Sequence, residues 1–204
     1  MFFDDTYKTI EAPSQGIYKD RGSKFIAFAY PVLSESEARE IITKMRNTYH
    51  DASHHCYAYR MGFDKSLYRT NDDGEPSGTA GKPIYNQLLS FDLTNILIIV
   101  TLYFGGTLLG VPALINAYKS SAKEALSAAR IITETVNEVY EISYSYPLMN
   151  SVMKAVKDYN AEIKSTNFEE ACKLVFSIRR NSAEQLLSQL KKTGYEVKII
   201  NCAL

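Results

Sequence analysis

His50-Asp51-Ala52-Ser53-His54-His55-Cys56 gathers every histidine of the chain beside an aspartate and a cysteine. Metal centres and nucleophilic pairs are built from these side-chain types. The spacing works against both. On a strand, His54, Cys56, Ala58 and Arg60 point to one face while His55, Tyr57 and Tyr59 point to the other. The potential ligands therefore do not converge on one ion, and no metal is assigned. His54 and Cys56 are neighbours on a face, but nothing in the sequence acts on the thiol as a helix N-terminus or a lysine would. The cluster reads as structural. His55, Tyr57 and Tyr59 also form a row on which single-stranded RNA bases would stack, each contact worth roughly 1–3 kcal/mol. Arg21, Lys24, Arg60 and Arg69 would supply charge. The plainer alternative packs the tyrosines between domains.

A second segment is the loop Asn71-Asp72-Asp73-Gly74-Glu75-Pro76-Ser77-Gly78-Thr79-Ala80-Gly81-Lys82-Pro83. Its glycines and prolines give a shaped, non-repetitive path whose amides could form an anion-binding nest. The Gly81-Lys82 pair does not make it a nucleotide-triphosphate loop. The first glycine of that motif falls on Pro76, and Pro83 replaces the hydroxyl residue that would hold magnesium. Asp72, Asp73 and Glu75 are the acids available to a hydrolase acting on a small phosphorylated or peptide ligand. A long loop of small residues in a compact domain is more often functional than accidental. The third segment is Tyr103-Phe104-Gly105-Gly106-Thr107-Leu108-Leu109-Gly110, where glycines let the backbone turn sharply ahead of a helix. Pro112 removes one of the amides that would greet an anion there.

These segments must be held by an α+β frame. Strands are expected at Thr6–Glu11, Gly16–Tyr18, Lys24–Pro31, His54–Met61 and Leu93–Phe104. A capping box, Ser34 with Glu37, opens a helix that buries Ala38, Ile41, Ile42 and Met45. Further helices cover Pro83–Ser90 and Pro112 to about Arg130, and the arrangement predicts a sandwich with helices on one sheet face. Beyond residue 135 the order changes to strand, helix, strand, strand, helix, strand. The strands are Val139–Tyr146, Ala161–Thr166, Lys173–Ile178 and Tyr195–Ile200. One helix carries Val152, Met153, Val156 and Tyr159; the other opens at a second capping box, Ser182 with Gln185, and stops at Gly194. This βαββαβ order is the ferredoxin-like pattern. Two domains follow, 1–135 and 136–204.

Composition narrows the classes. The chain has 204 residues, 46% hydrophobic and 23% charged, so a disordered or fibrous protein is excluded. Its 23 basic and 23 acidic residues cancel, which leaves no general basic field for nucleic acid. Three scattered cysteines, Cys56, Cys172 and Cys202, argue against a disulfide framework and suit a reducing cytoplasm. The start MFFDDTYKTI lacks the charged and apolar regions of a signal peptide. The run Ile96–Val100 is far short of the roughly 20 residues a membrane span needs. A cytoplasmic protein without a membrane partner or cofactor is the expectation.

Arg21-Gly22-Ser23-Lys24-Phe25-Ile26, Ala52 to Arg60, Asp72 to Pro83, Leu93-Thr94-Asn95 and Tyr103-Phe104-Gly105-Gly106 with Gly110, in this order and spacing, resemble the YigZ/Impact family. The resemblance spans nearly all of the first domain, and the second fits the extra C-terminal module of bacterial members. It implies a first domain related to the second domain of ribosomal protein S-five and a second resembling the fifth domain of elongation factor G. Eukaryotic relatives regulate translation by competing for the activator of a starvation-sensing kinase. The implied role is a non-enzymatic translation-associated regulator binding a ribosomal, translation-factor or RNA partner. Its working surface would comprise Asp72, Asp73, Gly74, Glu75, Pro76, Ser77, Gly78, Thr79, Gly81 and Lys82 with Tyr103, Phe104, Gly105 and Gly106. The sequence departs from the family where Leu102, Leu108 and Asn116 replace basic residues and Val111-Pro112-Ala113 replaces a glycine-rich turn. These losses, with the neutral balance, weaken the RNA option.

Overall fold

The computed structural model describes residues 5–168, 172–192 and 196–201. The described residues hold five α-helices and three sheets in two compact units, an α+β architecture. The larger unit is Tyr7–Glu134; the smaller runs from Thr135 and includes Asp5 and Thr6.

In the larger unit, β2 (Ser14–Asp20), β3 (Ser23–Pro31), β4 (His54–Met61), β5 (Leu67–Asn71) and β6 (Ile96–Tyr103) form one antiparallel sheet in the order β2-β3-β6-β4-β5. The central strand β6 is apolar at almost every position, so both of its faces need cover. Helices α2 (Gly81–Ser90) and α3 (Val111–Ala128) supply one cover, burying Ile98, Val100, Phe25 and Ala58 with Ile84, Leu88 and Tyr118. Helix α1 (Glu35–Thr48) supplies the other, burying Leu97, Ile99, Phe28 and Tyr59 with Ala38 and Met45. The expectation of helices on a single face is corrected by α1. The Ser34 cap forms, its Oγ accepting from the Glu37 amide at 3.2 Å, while the Glu37 carboxylate reaches one residue further back than a capping box requires and accepts from the Leu33 amide at 2.8 Å.

Other boundaries move for physical reasons. β1 (Thr6–Ile10) does not join the large sheet; it pairs with β7 (Ile131–Thr135), a short and mostly exposed strand that gives no periodic signal. β5 was also missed, being a short edge strand with no buried residue to give a periodic signal. Leu93–Asn95 precede β6 in a turn, with Asp92 at φ 52° and Asn95 at φ 57°.

The smaller unit contains β8 (Asn137–Tyr144), α4 (Met149–Asp158), β9 (Glu162–Asn167), β10 (Cys172–Arg179), α5 (Arg180–Lys191) and β11 (Glu196–Asn201). Its antiparallel sheet has the order β11-β8-β10-β9, the arrangement a βαββαβ chain gives. Ile142, Leu174 and Phe176 pack against Val152, Val156 and Leu186. β8 stops before Tyr146, which is 73% exposed. The Ser182 box does not open α5. The helix starts at Arg180, and its Asn181 amide donates to the Asp5 carboxylate at 3.3 Å. Gly194, Tyr195 and Cys202 lie outside the described residues. Among those described, no helix is long and apolar enough to cross a membrane.

Candidate functional site

The loop between β5 and α2 is organised by its own acids. Asp72 Oδ1 accepts from the amides of Ala80 at 3.0 Å and Gly81 at 2.8 Å, and Oδ2 accepts from Gly78 at 2.9 Å. Helix α2 has no cap from Ala80, so the Asp72 carboxylate does that work from outside the helix. Asp73 and Gly74 sit at φ 46° and 90°, turning the chain back on itself. The Asp73 carboxylate accepts from the His55 amide at 2.6 Å and from the Arg46 guanidinium. Thr79 is buried and closes the turn, its amide and hydroxyl both donating to the Pro76 carbonyl at 3.0 and 2.6 Å. Ser77 and Lys82 are exposed on its outer side.

Glu75 reaches inward. Its Oε1 accepts from the Tyr118 hydroxyl of α3 at 2.8 Å, and the Cys56 thiol lies 3.3 Å from the same hydroxyl and 3.0 Å from the Asp72 carbonyl. Burial pushes both the Cys56 thiol and the Tyr118 phenol well above their ordinary pKa values. A thiol so held is a packing group, not a nucleophile. The loop is thus fastened to the core by one phenol and one thiol that titrate beyond physiological range.

The two faces of β4 separate as the alternation requires, with Cys56 and Ala58 in the core under α2 and α3 and Tyr57 and Tyr59 in the core under α1. His55, Tyr57 and Tyr59 are 7, 8 and 2% exposed. Rings so covered cannot take a stacked base, and they pack beneath α1, not between domains. The His55 ring donates from Nε2 to the Tyr49 carbonyl at 3.0 Å, and burial lowers its pKa. No grouping of three or more His, Cys, Asp or Glu with metal-site geometry occurs among the described residues. His54 alone of this strand's rings stays half-exposed on the loop side, its Nδ1 donating to the Asp73 carbonyl at 2.7 Å.

The corner after β6 rests on the β2–β3 turn. A side chain at Gly105 would meet the Gly22 carbonyl carbon at 2.0 Å, so only glycine permits the approach, and its amide donates to Ser23 Oγ at 3.0 Å. Gly106 follows at φ 88°. Tyr103 turns the other way, its hydroxyl donating to Asp51 at 2.8 Å. Between corner and loop lies a cavity of about 490 Å³ lined by Phe25, Leu102, Phe104, Leu109 and Leu114 and edged by His54, Glu75 and Pro76. Phe104, Leu108 and Val111 stand at its rim, 50, 84 and 51% exposed.

Of the residues singled out from the sequence, Glu75, Pro76 and Phe104 share this cavity; Asp72, Asp73, Gly74, Gly78, Thr79 and Gly81 build the loop behind it; Ser77, Lys82, Tyr103, Gly105 and Gly106 do not line it. The part played at this site by Tyr118 and Leu114 was not read from the sequence. Tyr118 carried a signal, a hydroxyl on the apolar stripe of α3 that had to find a buried partner.

The family model described as the Impact N-terminal domain matches residues 21–126, from the β2–β3 turn to the last turns of α3. The IMPACT family member YvyE of Bacillus subtilis is 31% identical over 165 residues, covering 81% of this chain and 76% of its own. A crystal structure of a hypothetical protein superposes with a TM-score of 0.75 at 24% identity, covering 98% of this chain and 99% of the other. The two-domain translational regulator Yih1 is 27% identical over 62% of this chain and 48% of its own, with a TM-score of 0.36. With the family model matching more than half of the chain, the chain belongs to the IMPACT family.

Proposed function

We propose that this protein is a non-enzymatic, translation-associated regulator that docks a ribosomal protein or a translation factor on the rim of the β6–α3 cavity. The translational setting comes from the family, whose eukaryotic members regulate translation, and it implies a cytoplasmic location. In the same reading the chain is two domains, 1–135 and 136–204, akin to the second domain of ribosomal protein S-five and the fifth domain of elongation factor G.

One observation carries the docking surface: Phe104, Leu108 and Val111 leave apolar surface in water directly above a preformed cavity. The hydrolase alternative needs carboxylates free to meet a substrate, whereas those of Asp72 and Asp73 are occupied by amides and a guanidinium inside the loop. An RNA partner has lost its stacking row to the α1 core. The test is co-sedimentation with host ribosomes, and pull-down of purified translation factors, by wild type and Leu108→Glu. Wild-type protein is expected to retain one such partner and the variant to lose it at least tenfold, as burying a charge at an interface core demands. Absence of wild type from every ribosomal or factor complex overturns the reading.

A further inference from the structure

We infer that the cavity between the Gly/Pro loop and the glycine corner receives a lysine-class side chain of the partner, its aliphatic stem along the apolar wall and its ammonium against Glu75. The inference rests on the docking reading above and gives the partner its chemistry.

The charge pattern of the lining carries it. No lysine or arginine lines the cavity; its one anionic residue is Glu75. Tyr118 holds Oε1 of that carboxylate at 2.8 Å, and no hydrogen bond or ion pair from any described residue reaches Oε2. Glu75 is partly exposed, so its free oxygen is open to an incoming cation, and one arriving with its own apolar stem covers the apolar wall at the same time. His54 Nδ1 donates to the Asp73 carbonyl, which fixes the ring beside Glu75 at the cavity edge. Glu75 is the one charged group at the cavity edge, which favours an ammonium over a phosphate. The volume of about 490 Å³ is that of a small-ligand site and admits a four-carbon stem. The Tyr118 bond keeps the carboxylate in place before the partner arrives, so little ordering is left to binding.

The probe is n-pentylammonium, with n-pentanol and pentanoate as neutral and anionic matches, followed by amide chemical shifts of the full chain. Pentylammonium is expected to shift His54, Glu75 and Val111 and to bind at least tenfold more tightly than pentanoate. Glu75→Gln keeps an acceptor for Tyr118 while removing the charge, and it should weaken pentylammonium at least tenfold with the remaining amide spectrum unchanged. Equal binding of the three probes by wild type overturns the inference whether or not the variant folds, and so does full affinity in Glu75→Gln. Failure of the docking reading looks different: the wild type then holds no partner at all. If Leu108→Glu loses the partner while Glu75→Gln keeps it, the docking surface stands and the ammonium site falls.

Discussion

Asp72 shows how a residue that resembles a catalytic acid can be wholly occupied by architecture. Its two oxygens take three backbone amides at 2.8–3.0 Å, two of them at the start of α2. A hydrogen bond to a charged acceptor contributes about 1.5–3 kcal/mol, loss of a helix cap costs about 0.5–2 kcal/mol, and water takes over part of the freed amides of this surface loop. Asp72→Ala is therefore expected to lower unfolding stability by about 2–3 kcal/mol in urea titrations. Asp72→Asn keeps one acceptor oxygen, the one that can serve Ala80 and Gly81, and should lose about half as much. Equal stability of wild type and Asp72→Ala would mean that the loop holds without its cap. The acids Asp72, Asp73 and Glu75 were visible in the sequence, but the division of labour among them was not. Which of three neighbouring carboxylates turns inward is decided by Tyr118, more than forty positions further on, and no local spacing encodes that choice.

Secondary-structure elements were legible where their determinants are local. Ser34 and Glu37 sit within one helical turn of each other, and α1 begins where they say. The similar Ser182–Gln185 pair misled because a stronger acceptor arrives from elsewhere: Asp5, 2% exposed, binds Arg179 through both oxygens at 2.7 and 2.8 Å and accepts from the Asn181 amide. The cap of α5 is thus set by a residue 176 positions away. β5 escaped for the opposite reason, since an exposed edge strand has no hydrophobic period to read. The continuous apolar run of β6 did contain the two-sided cover that α1 supplies, a signal present but not used. The Asp5 cap gives a pH-dependent prediction. The Arg179 hydrogen bonds hold the Asp5 carboxyl below its ordinary value of 3.8. A depressed folded-state value means the unfolded chain takes up the proton first, so the stabilisation is complete above about pH 3.8 and is lost as acid approaches the lower folded value. Asp5→Asn should lower the stability of the smaller unit by about 1–2 kcal/mol at neutral pH, given the half-exposed Arg179. That deficit should shrink on acidification below pH 3.8, read by urea unfolding at a series of pH values. A deficit that stays constant through acid would show that the charge of Asp5 contributes nothing.

At the scale of the whole molecule, every residue lining the cavity lies between Ser23 and Leu114, inside the larger unit. Its two cores, one under α2 and α3 and one under α1, draw only on residues 10–129. A chain of this length with helices on both faces of a five-stranded sheet is in the size range of independently stable domains. The βαββαβ order of the smaller unit was legible because strand–helix alternation is written in local periodicity, whereas the grouping of Asp5 and Thr6 with that unit has no local signal. The seating of the corner on the β2–β3 turn was carried more faintly, by glycines at 22 and 105 that make sense only once their backbones touch. The expected consequence is that a fragment of residues 1–135 unfolds in a single cooperative urea transition and binds n-pentylammonium with the affinity of the full chain. It should also co-sediment with the same ribosomal or factor partner, since the proposed rim is intact. A fragment that folds cooperatively and binds the probe but loses the partner would assign part of the docking surface to the smaller unit, moving the functional site beyond the one cavity on which the present reading stands.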